Sequence, residues 1–284
     1  GAAATTNNAL GVAGIAGQAK IMPIRVSDLS GSASSSTIAS GLVYAADRGV
    51  RVANVSYANQ PMRSATINAS QYMKNKNGLV TVAAGNYGVD EGFTPTTAMI
   101  PVSATTSSDV KASWSSYGNY VALAAPGAGI WTTARGGSYG SVSGTSIASP
   151  VAAGVIALMM AANPKLKSTE IENLLFSTAK DLGSTGRDPY YGYGRVDAAA
   201  AFEKLKLAVV EQQHIEAAQH FVALGQIADI APRRERAAGL DALDRRRCGF
   251  DVGRAFFAFR RPHLLGGEAR HQIHRRLFVA LHRR

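Results

Sequence analysis

Twelve consecutive residues, Val151 to Ala162, carry no polar side chain. A helix that spans a bilayer needs about 20 apolar residues, so this run reads as a helix buried in a protein core. Such a helix must be enclosed by other layers, and the preceding chain supplies them. Lys20–Val26 is a short apolar strand. Thr37 can cap a helix running to about Arg48. Val50–Ser56 is strand-like, and Ser64–Asn75 suits a helix closed by the turn signal Asn77-Gly78. Leu79–Ala84, bounded by Gly85, reads as a buried strand, with Ile100–Ala104 and Tyr120–Ala125 as two more. Beyond the apolar run come a helix over Thr169–Lys180, with Ser168 or Thr169 near its cap, and a last one from Ala198 to about Leu207 behind Asp197. Strands spaced by helices predict a doubly wound α/β fold, a parallel sheet flanked by helices on both faces.

The pattern stops near residue 207. Residues 1–206 hold 16 Lys+Arg against 11 Asp+Glu, while residues 207–284 hold 14 Arg against 8 acidic residues. That second stretch contains no Lys, Ser, Thr, Asn, Tyr, Trp or Met, yet it holds all six histidines, the first being His214. Three readings stand for it. It is an Arg-rich arm for nucleic acid or another polyanion, a separate domain, or a frame-shifted or joined stretch with no fold of its own. Aromatic interleaving is thin and no binding motif appears, which speaks against nucleic acid. The single cysteine, Cys248, excludes an intrachain disulfide and a cysteine zinc site. Gly1-Ala2-Ala3-Ala4 has no basic region ahead of it, so no signal peptide is visible.

The sharpest local signal runs straight into the apolar helix: Ser143-Gly144-Thr145-Ser146-Ile147-Ala148-Ser149-Pro150. Gly144 permits close backbone approach. Ser146 falls at a helix N-terminus, where free N–H groups and the helix dipole favour developing negative charge. Alone this could be an ordinary cap. It is accompanied by Ala83-Ala84-Gly85-Asn86, an asparagine directly after a buried strand, by Ala125-Pro126-Gly127, and by Asn54-Val55-Ser56-Tyr57 at another strand end.

These motifs, in this order, resemble those of subtilisin-like serine proteases, the subtilases, over residues 1 to about 202. The resemblance implies that Ser146 is a nucleophile and Asn86 a side-chain oxyanion donor, helped by the Ser146 N–H and the Thr145 hydroxyl. It implies that Gly31-Ser32-Ala33 and Ser56-Tyr57-Ala58 hold an extended polypeptide between them as a middle strand. It also implies that Ala83, Ala84 and Gly85 line the pocket for the residue before the scissile bond. Thr6, Asn8, Leu10 and Val12 fall where relatives bind a structural calcium ion through oxygens; no cofactor is implied for catalysis. The parent would be a secreted serine endopeptidase, without a membrane partner and with an unknown pro-segment. Two departures stand out: Val151 follows Pro150 where the family usually has His, and Ala58 replaces the usual Gly.

The family's catalytic Asp and His lie upstream of every motif seen here. By alignment the chain begins about six residues after the histidine, and the first 213 residues contain none. The fold would then lack the N-terminal strand and helix that carry those residues, leaving Lys20–Val26 and Val50–Ser56 without the strand between them. Asp28-Leu29-Ser30-Gly31 reads as a turn, not a substitute motif. A tail histidine would have to reach the Ser146 hydroxyl and be oriented by a carboxylate, and nothing in the tail suggests such docking. Residues 1–206 are therefore read as a partial catalytic domain, inactive as given. The rival readings are a non-catalytic peptide-binding remnant and polyanion binding through the tail.

Overall fold

The computed structural model describes residues 2–207. The expectations for residues 208–284 lie outside the described residues.

Four strands form a parallel sheet: β1 (Val52–Val55), β2 (Leu79–Ala83), β3 (Ile100–Thr105) and β4 (Leu123–Pro126), in the order β1-β2-β3-β4. Every residue of β2 and β3 is buried, as expected of central strands covered on both faces. The strand period of two divides their side chains between two cores. Val80 and Val82 meet Ile38, Leu42, Ala69 and Met73 of helices α1 (Ser35–Asp47) and α2 (Ser64–Asn75). Leu79, Ile100, Val102 and Ala104 face the opposite way, onto Ala152, Val155, Ile156 and Met159 of α3 (Thr145–Ala162) and Ile171 and Leu175 of α4 (Ser168–Ser177). Helix α3 is long and apolar enough to cross a membrane, but it is packed across all four strands as a core helix. The fold is thus the α/β arrangement that the alternation of patterns predicts.

Several bounds differ from the sequence reading. Helix α1 is capped by Ser34, not Thr37: the Ser34 hydroxyl accepts from Thr37 N at 3.1 Å, which makes Thr37 the third helical residue. Strand β4 starts at Leu123 because Gly118 O takes the Val121 N–H in a turn. Helix α4 stops at Ser177, and Lys180 pairs its backbone with Arg195 instead. Asp197 does cap the last helix, accepting from Ala200 N at 3.0 Å; residues 198–207 are helical.

Lys20–Val26 is not a strand. A strand is defined by a partner ladder, and none of the described residues supplies one. The segment instead lies against α1, where a methyl group on Gly41 would come within 2.9 Å of Val26 and 3.3 Å of Ile24. Ile21 is left 70% exposed, and β1 has β2 as its one neighbour among the described residues. The short helical turn Gln60–Met62 and one hairpin have no counterpart in the sequence reading. Strands β5 (Ile130–Thr133) and β6 (Tyr139–Val142) form an antiparallel hairpin that leads the chain back to α3.

Candidate active site

The carboxyl ends of the parallel strands meet the N-terminus of α3. Ser56 follows β1 and Asn86 follows β2, and both converge on Ser146, the second residue of α3. Gly144 is the N-cap, with extended backbone. The first N–H groups of a helix lack internal partners. Here the Thr145 N–H is taken by Asn86 Oδ1 at 2.9 Å, while no acceptor among the described residues takes that of Ser146.

The Thr145 hydroxyl, fully buried, lies 2.9 Å from Asn86 Oδ1 and 3.2 Å from Gly85 O and accepts from Gly85 N at 3.1 Å. With its oxygen held by Thr145, Asn86 must turn its NH₂ the other way, toward solvent. A methyl group on Gly144 would lie 3.6 Å from Ser146 N and 3.8 Å from Asn86 Nδ2. Two N–H donors therefore border the same open point beside the serine, at the positive end of a helix. The sequence reading puts the Thr145 hydroxyl beside the oxyanion. It is instead turned into the protein, where it fixes the asparagine.

Ser56 Oγ donates to Ser146 O at 2.8 Å, and Asn54 Nδ2 donates to Ser56 Oγ at 2.9 Å. Asn54 Oδ1 in turn accepts from Ser149 Oγ at 2.7 Å. This network joins β1 to Ser146 and Ser149 in the first turns of α3. The sequence reading does not place Asn54 in the site. Its signal is a lone amide on an otherwise apolar strand.

The two expected peptide-holding edges face one another: Tyr57 OH donates to Gly31 O at 3.4 Å. Ser32 turns both backbone groups inward, its N–H to Asp28 Oδ1 at 2.9 Å and its carbonyl to Asp28 N at 2.9 Å. Gly31 stands in the bend before it at φ +85°, its N–H donating to Asp28 O at 3.2 Å. Asp28 sits in an exposed turn whose hydrogen bonds from Ser30 and Ser32 hold its carboxyl below the usual range. Ala83 and Ala84 are buried at the end of β2, and Gly85 adopts φ +129°, a conformation that suits glycine.

The Thr6, Asn8, Leu10 and Val12 segment lies apart from this cluster, in an exposed loop with left-handed residues at Asn7, Ala9 and Gly11. Asn8 Oδ1 accepts from Leu10 N at 3.2 Å. One amide oxygen and three carbonyls give four neutral donors. Calcium takes about six to eight oxygens, usually with carboxylates among them, so these residues alone do not meet its needs.

Comparison with known proteins agrees with this geometry. The sequence profile of the Subtilase family matches residues 1–194. The chain is 40% identical over 199 residues to the thermophilic serine proteinase of Bacillus sp. (strain AK1), covering 69% of this chain and 49% of that one. It is 39% identical over 204 residues to thermitase of Thermoactinomyces vulgaris, covering 71% and 72%. Among solved structures, a protease from Pseudoalteromonas arctica PAMC 21717 superposes with a TM-score of 0.64 at 32% identity, covering 72% of this chain and 68% of that one. The chain spans about half the length of the first of these relatives.

Proposed function

The chain belongs to the subtilase family, and from that premise we propose that Ser146 is the nucleophile of a serine endopeptidase site. The observation that carries the reading is the open point beside Gly144, bordered by the Ser146 N–H and Asn86 Nδ2. In peptide-bond hydrolysis the serine oxygen attacks the carbonyl carbon, and the carbonyl oxygen gains negative charge. Donors already aimed at that oxygen stabilise the charge without reorganising. Thr145 acts as a positioning residue, because its hydroxyl and N–H hold the Asn86 amide in the donating orientation. The Gly31-Ser32-Ala33 and Ser56-Tyr57-Ala58 edges would hold between them an extended polypeptide, which family membership makes the substrate class.

Attack also requires a base. A serine hydroxyl does not ionise near neutral pH and needs an imidazole, itself oriented by a carboxylate, to take its proton. The first 213 residues contain no histidine. We therefore read this 284-residue chain as one that binds peptides and aligns the oxyanion donors but does not turn substrate over. Family membership suggests an extracellular setting. Calcium enters only as a structural ion that would need further oxygens from outside Thr6, Asn8, Leu10 and Val12.

The test needs no turnover. A product-like peptide acid offers a carboxylate oxygen to both donors, whereas the matching peptide amide offers none of that charge. Fluorescence anisotropy with the two labelled peptides should show tighter binding of the acid, and Asn86→Ala should erase the difference. Equal affinities in the wild-type chain would count against the site.

A further inference from the structure

A carboxylate stands against the Ala83-Ala84-Gly85 edge. A methyl group built on Gly85 would lie 2.7 Å from Glu91 Oε1 and 2.8 Å from Ser116 Oγ. Ser116 donates its hydroxyl hydrogen to Glu91 Oε1 at 2.7 Å, accepts from Tyr87 N at 3.0 Å, and donates its N–H to Gly85 O at 3.0 Å. One oxygen of Glu91 is thereby pinned beside the Gly85 backbone. The ion pairs among the described residues use Glu172, Asp47, Asp109 and Glu203, not Glu91. Glu91 is half-buried, so its charge is partly desolvated and lacks a cation among the described residues.

The charge of this group acts on a neighbouring hydroxyl. Tyr120 OH donates to Ala84 O at 2.9 Å, and burial, then the charges of Glu91 and Asp90, raise that hydroxyl far above its ordinary pKa. Phe93 packs on Tyr120 with ring centroids 4.9 Å apart, in one cluster with Ala84. Ala84 and Tyr120 are buried, so the apolar surface beside the carboxylate is the half-buried ring of Phe93. A long side chain with a methylene stem and a cationic head matches both.

We propose that Glu91 makes the pocket for the residue before the scissile bond select lysine or arginine. The proposal rests on reading Ala83, Ala84 and Gly85 as the wall of that pocket. An uncharged residue in the pocket would leave the carboxylate without a counter-ion, while a guanidinium or ammonium would satisfy its free oxygen. Glu91 acts here as a specificity residue and takes no part in bond breaking.

The test is equilibrium binding to the full chain at low salt, using labelled peptide amides that differ only in the final residue. Arginine is compared with citrulline, its uncharged near-isostere, and lysine with norleucine. The charged peptide should bind about ten-fold tighter or better in each pair, in line with a charge-assisted hydrogen bond. The preference should shrink as salt rises. Glu91→Gln keeps an acceptor for Ser116, so a purely structural role would leave the ratio intact. On this proposal the ratio falls toward one while citrulline and norleucine affinities hold. Equal affinities within each pair in the wild-type chain would overturn the proposal and leave the peptide groove standing. No binding of any peptide would overturn the groove itself. The wild-type comparison is decisive even if the variant fails to fold.

Discussion

The hydroxyl of Ser56 donates to the carbonyl of Ser146 at 2.8 Å, supplying a bond that helix α3 cannot make for itself. Pro150 stands four residues after Ser146 and has no N–H to offer that carbonyl. The first turn of α3 is therefore tied to the end of β1, and the candidate nucleophile is held by the same residue that begins one of the proposed peptide-holding edges.

Removing that hydroxyl leaves the Ser146 carbonyl without a donor. Ser56→Ala should lower unfolding stability by about 1–3 kcal/mol, the cost of an unsatisfied, partly buried polar group. Urea denaturation followed by circular dichroism measures it. A midpoint equal to the wild type would show that solvent replaces the bond.

Gly144→Ala separates folding from function. Gly144 has extended backbone, and an added methyl meets nothing closer than 3.6 Å, so stability should change by less than about 1 kcal/mol. The methyl nevertheless fills the point bordered by Ser146 N and Asn86 Nδ2. The variant should keep the wild-type melting temperature and bind product-like peptide acids no better than amides. Retained preference for the acid would place the oxyanion donors elsewhere.

Lys74 and Glu172 join α2 to α4 at 2.6 Å, with side chains 11% and 12% exposed. Lys74 also donates to Thr97 O. Truncating one partner strands the other charge, so Glu172→Ala should cost about 3–5 kcal/mol. Replacing both by methionine and leucine should recover much of the loss. If Glu172→Ala shifts the urea midpoint by no more than an exposed substitution does, the pair contributes little.

Asp109 meets Lys180 at 2.8 Å and Arg195 at 2.8 Å. The hydrogen bond from Lys180, then the charges of Arg195 and Lys180, hold its carboxyl below the usual value of 3.8. A carboxylate with a depressed folded-state pKa stabilises the fold above its unfolded pKa, and that contribution disappears as pH falls through the folded value. Between pH 7 and pH 2, the melting temperature of the wild type should drop more steeply below about pH 4 than that of Asp109→Asn. The difference should be small, because half-exposed Lys180 is well solvated. Parallel profiles would remove Asp109 from the acid response.

Much of this is legible in the residues. Strand β2 and helix α2 fall close to where the sequence puts them, because β2 is buried on both faces and α2 ends at Asn75, just ahead of the turn in which Asn77 adopts φ +66° before Gly78. The serine, asparagine and glycine of the site are local motifs at strand and helix ends, so they too can be read directly. Lys20–Val26 misleads because a short apolar run signals a strand but cannot supply its neighbour. The β5–β6 hairpin escapes the sequence reading because its residues are mostly exposed and carry little apolar pattern; Gly136 and Gly137, at φ +80° and +77°, are its turn signal. The inward turn of the Thr145 hydroxyl depends on Gly85 and Asn86, some sixty residues away. Glu91 leaves only a faint trace, an Asp90-Glu91 pair in a segment with 11 carboxylates among 206 residues.

On the proposed reading, Ser146 sits among aligned oxyanion donors with no histidine among the described residues to activate it. Intact-mass analysis of the 284-residue chain after incubation with a peptidyl diphenyl phosphonate ending in an arginine mimic tests it most directly. That reagent reacts only with an activated serine. The expected result is an unmodified mass in a chain that still binds the corresponding peptide acid. A stoichiometric phosphonate adduct on Ser146 would contradict the claim and show that the chain activates its nucleophile by another route.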